Sequence, residues 1–443
     1  MPSFYIDQHG CAKNQVDGEE IASRLLDAGY LQAPSPEQAD VVIINTCGFI
    51  EEAKKESIHA IIDARRSWAS KKIVVAGCLS QRYPQELFDD LTEADGIAGN
   101  ADLSLLPSVI DRVLGGERVL VCPPQPTVMP AAHYRRSMLF DYPGTAHIKI
   151  TEGCSNHCSY CAIPLIRGEL RSRTIDDIVA EARLLLDRGV FEIVLIGQDL
   201  GNYGRDLEGR CMLADLLASL GTIDRDFRIR VMYLHPDHFP LDILPVMKKD
   251  PRMAHYFDIP FQHASAQVLR TMNRRGDRTQ YLDLLARIRD ALPDVMLRST
   301  FLVGFPGETD SDFEELLAFQ EQAKLDWLGA FTWSREEHTP AYAMKPRVPA
   351  SVARQRKARI EEMQQSITSA QLLRFVNVVD RFIVEEAFEH DDLCIARGYM
   401  QAPDVDGVTL IHASCTPGSV VTARIIAVNG VDFNARLEYT RSP

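Results

Sequence analysis

The sequence predicts an α/β protein in three parts: an amino-terminal parallel α/β domain, a central partial barrel of the TIM type with six βα units, and a small antiparallel β-barrel at the carboxyl end. Two observations predict this order. Apolar strand patterns alternate with helical patterns up to residue 333, and short strand patterns follow one another after residue 374. With 443 residues, 46% of them hydrophobic, the chain is long enough for two or three domains with separate cores.

The first 117 residues repeat one pattern three times: an apolar strand, a cysteine and a helix. Apolar strands that alternate with helices form parallel sheets, which bind ligands at the carboxyl ends of their strands. We therefore expect Cys11, Cys47 and Cys78 to meet at one sheet edge. Three cysteines there predict an iron–sulfur cluster with one open iron, or alternatively a redox-active cysteine set without metal. The predicted strands are 4–6, 41–46 and 73–77, and the predicted helices are 16–26, 50–68 and 79–91.

A proline-rich linker over residues 118–139 separates this first domain, residues 2–117, from a second alternating region. Six further βα units in residues 140–372 predict a partial TIM-type barrel, whose chemistry lies at the carboxyl ends of its strands. The predicted strands are 148–150, 192–196, 228–233, 256–259, 296–301 and 328–333, and the predicted helices are 174–188, 210–219, 241–248, 264–273, 278–290 and 310–323.

Three cysteines with the spacing C-x3-C-x2-C, namely Cys154, Cys158 and Cys161, directly follow the first barrel strand. Three thiolates so close in sequence can bind three corners of one cubane iron–sulfur cluster, since soft sulfur ligands suit such centres. The motif has no fourth cysteine, so one iron stays open to a reactant. A zinc site with His157 as fourth ligand is the alternative, although zinc sites usually pair two C-x2-C units. The remaining cysteines follow no such pattern: Cys122, Cys211, Cys394 and Cys415.

With an aromatic residue before its last cysteine, this loop resembles that of the radical S-adenosylmethionine (SAM) superfamily. The resemblance implies that SAM binds the open iron of a 4Fe–4S cluster. An electron from the cluster then splits SAM into methionine and a 5′-deoxyadenosyl radical. Gly-rich and polar loops at strand ends offer the backbone edges that adenine and ribose need, although they also suit ordinary turns. We expect five cofactor-binding residues: Tyr160, Gln198, Gln262, Arg298 and Gly304.

Residues 374–441 contain five short strand patterns, which are typical of a small barrel, and their position resembles a TRAM domain. A charged stretch over residues 351–374 with an apolar stripe predicts a helix that connects the two barrels. The predicted carboxyl-terminal strands are 376–379, 381–384, 407–411, 420–426 and 433–439.

Together the three parts resemble a methylthiotransferase over nearly the whole chain. Three segments, Gly10–Asn14, Asp258–Ser265 and Ala402–Gly407, resemble the branch that modifies a ribosomal protein (the RimO type). The tRNA branch typically has Gln-Met-Asn after the first cysteine and Gln-Ser-Gly-Ser in the later motif, and this chain has neither.

The resemblance implies a transferase that adds a methylthio group to the β-carbon of an aspartate in small-subunit ribosomal protein number twelve. It implies SAM and two 4Fe–4S clusters, one on each cysteine set, and therefore six catalytic, metal-binding cysteines. An electron donor and a sulfur source are the further partners that it implies. Two rival functions remain: a tRNA adenosine methylthiotransferase with the same two-cluster chemistry, and a non-catalytic iron–sulfur protein bound to ribosomes.

The net charge of −14 is concentrated in the two outer domains. Residues 1–117 hold 10 Lys and Arg against 19 Asp and Glu, and residues 374–443 hold 6 against 10. Such domains disfavour tRNA and suit a basic ribosomal protein, unless the acidity serves only solubility. The sequence shows neither a secretory signal nor an apolar run that could span a membrane, so we expect a cytoplasmic protein without disulfides.

Overall fold

The computed structural model describes residues 1–129, 136–388 and 392–438, and its amino-terminal part contains a six-stranded parallel sheet. The strands are Ser3–Gln8 (β1), Leu31–Gln32 (β2), Val41–Thr46 (β3), Lys72–Gly77 (β4), Gly96–Ala98 (β5) and Val119–Val121 (β6). The sheet order is β2-β1-β3-β4-β5-β6, so the three predicted βα repeats are neighbours. Strand β3 is buried on both faces because Val41 and Ile43 pack into one hydrophobic cluster and Val42 and Ile44 into another.

Five helices accompany this sheet, and one predicted helix is broken. They are Ala12–Asp27 (α1), Glu51–Ser67 (α2), Cys78–Arg82 (α3), Pro84–Asp90 (α4) and Leu106–Leu114 (α5). The prediction of one continuous helix over 79–91 was wrong. Pro84 pushes the preceding Tyr83 out of helical geometry, to φ −133° and ψ 54°, so the helix ends there and restarts.

The central part contains the six predicted parallel strands in two arcs. The strands of this part are Thr145–Lys149 (β7), Thr151–Glu152 (β8), Arg171–Ser172 (β9), Glu192–Ile196 (β10), Arg228–Val231 (β11), Tyr256–Asp258 (β12), Met296–Val303 (β13) and Trp327–Thr332 (β14). One arc has the order β11-β10-β7 and the other β12-β13-β14, and a single parallel bridge joins Ile229 to Met253. Short strands β8 and β9 pair antiparallel with each other.

The helices of the central part lie between these strands as the βα pattern predicts. They are Ile163–Arg167 (α6), Ile175–Asp187 (α7), Arg205–Glu208 (α8), Leu213–Gly221 (α9), Ile243–Lys249 (α10), Ala266–Thr271 (α11), Arg278–Ala291 (α12), Asp310–Ala323 (α13) and Ala350–Leu372 (α14). Helix α14 is the predicted connecting helix. In the part of the chain that the structure describes, no helix is long and apolar enough to cross a bilayer.

A closed five-stranded barrel forms the carboxyl-terminal part. Its strands are Val379–Phe388 (β15), Leu393–Arg397 (β16), Thr409–Ile411 (β17), Val420–Asn429 (β18) and Asp432–Leu437 (β19). Four of its five pairings are antiparallel, and β17 pairs with β19 in parallel.

Two details of the predicted strands in this barrel were wrong. The predicted strands 376–379 and 381–384 are one strand, β15, because Asn377 is left-handed with φ 73° and the chain becomes extended only after it. Strand β16 was missed because its inward residues, Cys394 and Ala396, are small and give a weak alternation. The predicted strand end at residue 439 and domain end at 441 lie outside the described residues, as does 130–135 of the linker.

The three parts share buried surfaces. Val16 of α1, Ile196 and Tyr256 of the central strands, and Phe382 and Met400 of the small barrel belong to one hydrophobic cluster. The inner face of the central strands is therefore filled in part by its two neighbours.

A buried ion-pair group also joins the small barrel to the central strands. The carboxylate of Glu192 on β10 accepts from Arg230, at 2.7 Å, and from Arg397 of the small barrel. Arg397 also donates to the hydroxyl of Thr145 at 2.9 Å. Because breaking a buried ion pair is costly, this group fixes the orientation of the small barrel.

Candidate active site

Three strand ends bring Cys11, Cys47 and Cys78 to one edge of the amino-terminal sheet, as predicted. They follow β1, β3 and β4, which are adjacent and parallel. Two glycines let the cysteine loops touch. A Cβ on Gly10 would lie 3.0 Å from the Cβ of Cys47, and one on Gly48 would lie 2.9 Å from the carbonyl carbon of Cys78. The cysteine edge therefore depends on backbone contacts that a larger side chain would disrupt.

The three thiols are close enough to influence one another's ionisation. Burial, with smaller contributions from Cys11 and Cys47, raises the pKa of Cys78 to about 12, although the charge of Arg167 opposes the shift. Burial likewise raises the pKa of Cys47. Desolvation also opposes ionisation of Cys11, but the charges of Lys13 and Arg167 outweigh it and hold the pKa of Cys11 below its ordinary value. Cys11 is therefore the most readily ionised of the three.

The second cysteine set lies in one loop between β8 and α6. Gly153 opens this loop with φ +73°, and a Cβ there would lie 2.0 Å from the carbonyl oxygen of Glu169, so only glycine fits. The loop then turns tightly, and the N–H of Cys161 donates to the carbonyl of Cys158 at 2.9 Å. Burial raises the pKa of Cys154 to about 12, with a further contribution from Cys158.

A buried arginine, Arg274, lies beside this loop. Its guanidinium donates to the hydroxyl of Tyr160 at 3.3 Å and to the carbonyl of Pro260 at 2.6 Å, and it lies 4.0 Å from the sulfur of Cys158. His157 points elsewhere: its ring lies 3.6 Å from the carboxylate of Glu169 and is exposed. Arg274 is thus the cationic neighbour of the cysteine loop.

A second buried arginine, Arg167, links the two cysteine sets. It ends helix α6, just after the cysteine loop, and its guanidinium lies 3.1 Å from the sulfur of Cys78. The same guanidinium pairs with Asp17 at 2.7 Å and with Glu152 at 2.8 Å, and Lys149 pairs with both carboxylates. Burial alone would raise the pKa of Glu152, but Arg167 and Lys149 hold it well below its usual range. We call Asp17, Lys149, Glu152 and Arg167 the interdomain quartet.

Other contacts confirm that the cysteine edge faces the mouth of the central strands. The ammonium of Lys13 donates to the carbonyl of Gly197, which follows β10, at 3.1 Å. A second contact comes from the segment after β14, where the buried carboxylate of Glu336 accepts from Lys54 at 2.8 Å and from Arg82 at 2.7 Å. The amino-terminal domain is therefore held against the carboxyl ends of the central strands.

Four of the five predicted cofactor-binding residues lie at this mouth. Tyr160 lies in the cysteine loop, and Gln198, Gln262 and Gly304 follow β10, β12 and β13. Gln262 and Gly304 have left-handed backbones, with φ 67° and 77°. In a non-glycine residue this conformation stores strain, which is common beside ligands.

The fifth, Arg298, lies within β13 and already has two carboxylate partners. It pairs with Asp258 at 3.0 Å and with Asp406 of the small barrel at 3.4 Å. Tyr256 donates to the same Asp406 at 2.7 Å. The structure therefore gives Arg298 a bridging role between the two barrels, and its contact with SAM stays a prediction.

Sequence reasoning missed three polar residues at this mouth. Arg167 and Arg274 are described above, and Asn156 of the cysteine loop bonds the carboxylate of Asp199 at 2.8 Å and the amide of Asn202 at 2.9 Å. Arg167 could have been noticed as the first charged residue after the cysteine loop. Arg274 carries no sequence signal, because it reaches the loop only through folding.

The residues present fit a cluster and a polar cofactor. Each set supplies three soft thiol ligands and has at least one neighbouring cation that would offset the negative charge of the thiolates. The buried polar atoms Thr151 Oγ1, Gln198 Oε1 and His235 Nε2 have no hydrogen-bond partner within the described residues, which suits a polar ligand. Across 1–129, 136–388 and 392–438, no three His, Cys, Asp or Glu groups are placed to hold a single metal ion. The thiolates of a cubane cluster each bind a different iron and so lie farther apart.

Three family profiles match the chain, one for each part. They are described as "Uncharacterized protein family UPF0004" over residues 3–99, "Radical SAM superfamily" over 148–319 and "TRAM domain" over 379–437. The fold is similar to that of the radical S-adenosylmethionine methyltransferase TsrM from Kitasatospora setae. The TM-score is 0.57 at 15% identity, covering 77% of this chain and 74% of that one. The fold and the cysteine loop define a radical SAM enzyme, a class whose members use SAM and a 4Fe–4S cluster.

Proteins of similar sequence show which family of radical SAM enzymes the chain belongs to. A protein from Treponema denticola named "Ribosomal protein uS12 methylthiotransferase RimO" is 43% identical over 97% of this chain and 99% of its own length. A protein of the same name from Syntrophomonas wolfei is 39% identical over 96% and 97%. The chain belongs to this RimO family of radical SAM methylthiotransferases, and it is therefore a transferase.

Proposed function

We propose that this protein adds a methylthio group to the β-carbon of an aspartate in ribosomal protein uS12. The observation that carries the proposal is that two three-cysteine sets face each other across one interface, joined by the interdomain quartet. The names of the relatives support a ribosomal protein, rather than tRNA, as the substrate.

We assign a 4Fe–4S cluster to each cysteine set. Cys154, Cys158 and Cys161 would hold the cluster that works with SAM, and the strand-end set would hold the second one. When bound, these groups supply the radical that removes an unactivated hydrogen, and the sulfur and methyl group that replace it. An aspartate β-carbon needs such chemistry because its C–H bond is too weakly acidic for an ordinary general base.

The protein's own residues hold and shield these groups. Arg167 would donate to the sulfur of Cys78, and Arg274 would neutralise charge beside Cys158. The quartet is buried, so its four charged side chains are shielded from bulk solvent. Fixed buried charges also keep the two cysteine sets at one separation, which a reaction between them requires.

The cofactor contacts and the remaining partners are further proposals. We propose that Tyr160, Gln198, Gln262 and Gly304 bind SAM, because they lie at the strand ends next to the cysteine loop. An electron donor and a sulfur source must also reach the site. The domain boundaries at 117, 139 and 372–374 stay predictions.

The activity is tested with anaerobically reconstituted protein, SAM, sulfide, a reductant and equal amounts of purified uS12 and unmodified tRNA. Mass spectrometry should find a methylthio group on one uS12 aspartate and none on the tRNA. The matched controls are the two variants in which either cysteine set is changed to alanine, and neither should modify uS12. Modification of the tRNA alone would favour the rival function and overturn this one.

The acidic carboxyl-terminal surface is the proposed docking face for a basic partner, but not every carboxylate of this part of the chain is exposed. Glu385 is buried against Arg397 at 2.7 Å, so it cannot contribute to a surface. Glu386 and Asp392 are exposed, and Asp391 lies outside the described residues. We expect Glu386→Lys with Asp392→Lys to weaken uS12 binding several-fold at low salt, with a smaller loss at high salt, because exposed charges are screened. Unchanged binding across salt concentrations would exclude this face.

A further inference from the structure

Lys13 differs in its contacts from the other lysines at the interface between the amino-terminal domain and the central strands. It follows Cys11 by two residues, and its ammonium reaches across to the central strands. There it donates to the carbonyl of Gly197 at 3.1 Å and lies 4.0 Å from the centre of the Tyr233 ring. Gly197 directly follows β10, and Tyr233 follows β11, so the ammonium lies at the strand ends where radical SAM chemistry takes place.

Lysines elsewhere at this interface have carboxylate partners. Lys54 pairs with Glu336 at 2.8 Å, and Lys149 pairs with Asp17 and Glu152. Lys13 forms no ion pair with a carboxylate within residues 1–129, 136–388 and 392–438. An ammonium has three donors, and a carbonyl satisfies only one of them. Two of its three donors are therefore available to an acidic ligand.

The aromatic partner of Lys13 is itself held in an unusual conformation. Tyr233 is a bulky residue with φ 61°, a left-handed geometry that costs on the order of 1 kcal/mol or more and clusters at ligand sites. Its carbonyl is fixed by the N–H of Leu200 at 2.9 Å. The ring therefore presents its face to the ammonium as a preformed platform, which keeps the cation in place without neutralising it.

We propose that Lys13 is the specificity residue that binds the side-chain carboxylate of the target aspartate. This inference rests on the proposed function. The β-carbon of aspartate is bonded directly to the carboxylate carbon, so an ion pair to the carboxylate fixes the reacting carbon as well. Because Lys13 is two residues from Cys11, the anchored carbon is held beside the strand-end cysteine set. Asparagine has the same shape without the charge, and it would be bound less well.

The test compares two forms of uS12: the natural protein, and the protein in which the modified aspartate, located by mass spectrometry, is replaced by asparagine. Affinities are measured by fluorescence anisotropy with reconstituted enzyme. The wild-type enzyme should prefer the aspartate form by roughly tenfold or more, the range for a hydrogen bond to a charged group. Lys13→Met should lose this preference, and Lys13→Arg should keep most of it because the positive charge remains.

Three further measurements separate recognition from structure. Lys54→Met removes another interdomain lysine and should keep the aspartate preference even if its melting temperature falls. Because the charge of Lys13 also lowers the pKa of Cys11, iron content and substrate-independent SAM cleavage are compared in Lys13→Arg, which should match wild type. If Lys13→Met still prefers aspartate, or if wild type binds both forms of uS12 equally, the inference is overturned. If the methylthiolation assay fails, each aspartate of uS12 is replaced by asparagine in turn for the binding measurement, so failure of the assay would overturn only the proposed function.

Discussion

The two cysteine sets bring three thiols together in opposite ways. Cys154, Cys158 and Cys161 lie in one short loop, whose shape is set by the local turn and by Gly153. The other set is gathered from three strand ends by the sheet, with Gly10 and Gly48 allowing the loops to touch. A contiguous loop can bring its three thiols together by its own local shape. The strand-end set, which is the gathered set, comes together only while the sheet is intact. The gathered set should therefore respond more strongly to changes in the fold.

The largest expected effect comes from removing either set. With a four-iron cluster on each set, wild type should hold about eight irons per chain after anaerobic reconstitution. Alanine at Cys154, Cys158 and Cys161 should remove about half of the iron and abolish SAM cleavage. Alanine at the strand-end set should remove the other half and leave SAM cleavage intact. Iron analysis and detection of 5′-deoxyadenosine measure the two outcomes.

Cys122→Ala is the matched control for the cysteine variants, because Cys122 is half-buried and belongs to neither set. It should retain all of the iron. A strand-end triple variant with full iron would contradict the assignment of a second cluster.

Replacing a glycine beside each cysteine set by alanine tests how that set is assembled. A Cβ at Gly48 would lie 2.7 Å from the Cα of Leu79, so the backbone of the cysteine edge must shift. Gly48→Ala should lose about half of the iron while SAM cleavage continues. Gly153→Ala should affect the other half, and with it SAM cleavage, because its Cβ would lie 2.0 Å from a backbone oxygen.

Gly115→Ala is the control for both glycine variants. Gly115 ends a helix with a right-handed backbone, and its added Cβ would meet nothing closer than 3.3 Å. Equal loss from both iron sites in Gly48→Ala would show that the sets are not assembled independently.

The interdomain quartet should give the next largest effect. Arg167→Gln removes the one group that contacts Cys78, Asp17 and Glu152 together. Removing one partner of a buried ion pair costs about 3–5 kcal/mol, so the free energy of unfolding should fall by that order. Arg167→Lys should recover part of it. Denaturant unfolding gives the values, and the exposed Arg66→Gln should change them by less than about 0.5 kcal/mol.

The quartet also predicts a pH dependence. The folded pKa of Glu152 is held well below 4.5, so its ion pairs stabilise the fold at all pH values above 4.5. This stabilisation is lost as the pH falls from 4.5 through the folded pKa. The difference in unfolding free energy between wild type and Arg167→Gln should therefore be largest above pH 4.5 and shrink on acidification. A difference that grows as the pH falls would be inconsistent with this origin.

The smallest effect is expected at His157. The zinc alternative makes this histidine a fourth ligand, whereas the structure places its ring near Glu169 and exposed to solvent. His157→Ala should keep the iron content and SAM cleavage of wild type and change stability by less than about 0.5 kcal/mol. Loss of metal in this variant would restore the zinc alternative.

The sequence by itself determined the three-part fold, the βα order and the two cysteine sets. These features follow from periodicity and spacing, which are patterns of a few neighbouring residues and can be recognised without knowledge of the fold. The sequence also indicated that Cys11, Cys47 and Cys78 lie at one edge of the sheet, because the carboxyl ends of adjacent parallel strands lie at the same edge. Local errors arose where one residue changes the backbone, as at Pro84 and Asn377.

Only the tertiary structure decided which charges surround the two sets. Arg167 reaches Cys78 from 89 positions away, and Arg274 reaches Cys158 from 116 positions away. Neither contact leaves a local pattern, because a long side chain can serve any neighbour that folding brings within a few ångströms. The same holds for Lys13, whose partner Gly197 is 184 positions distant. Spacing along the chain fixes which groups can bind a metal, and packing between domains fixes which charges act on them.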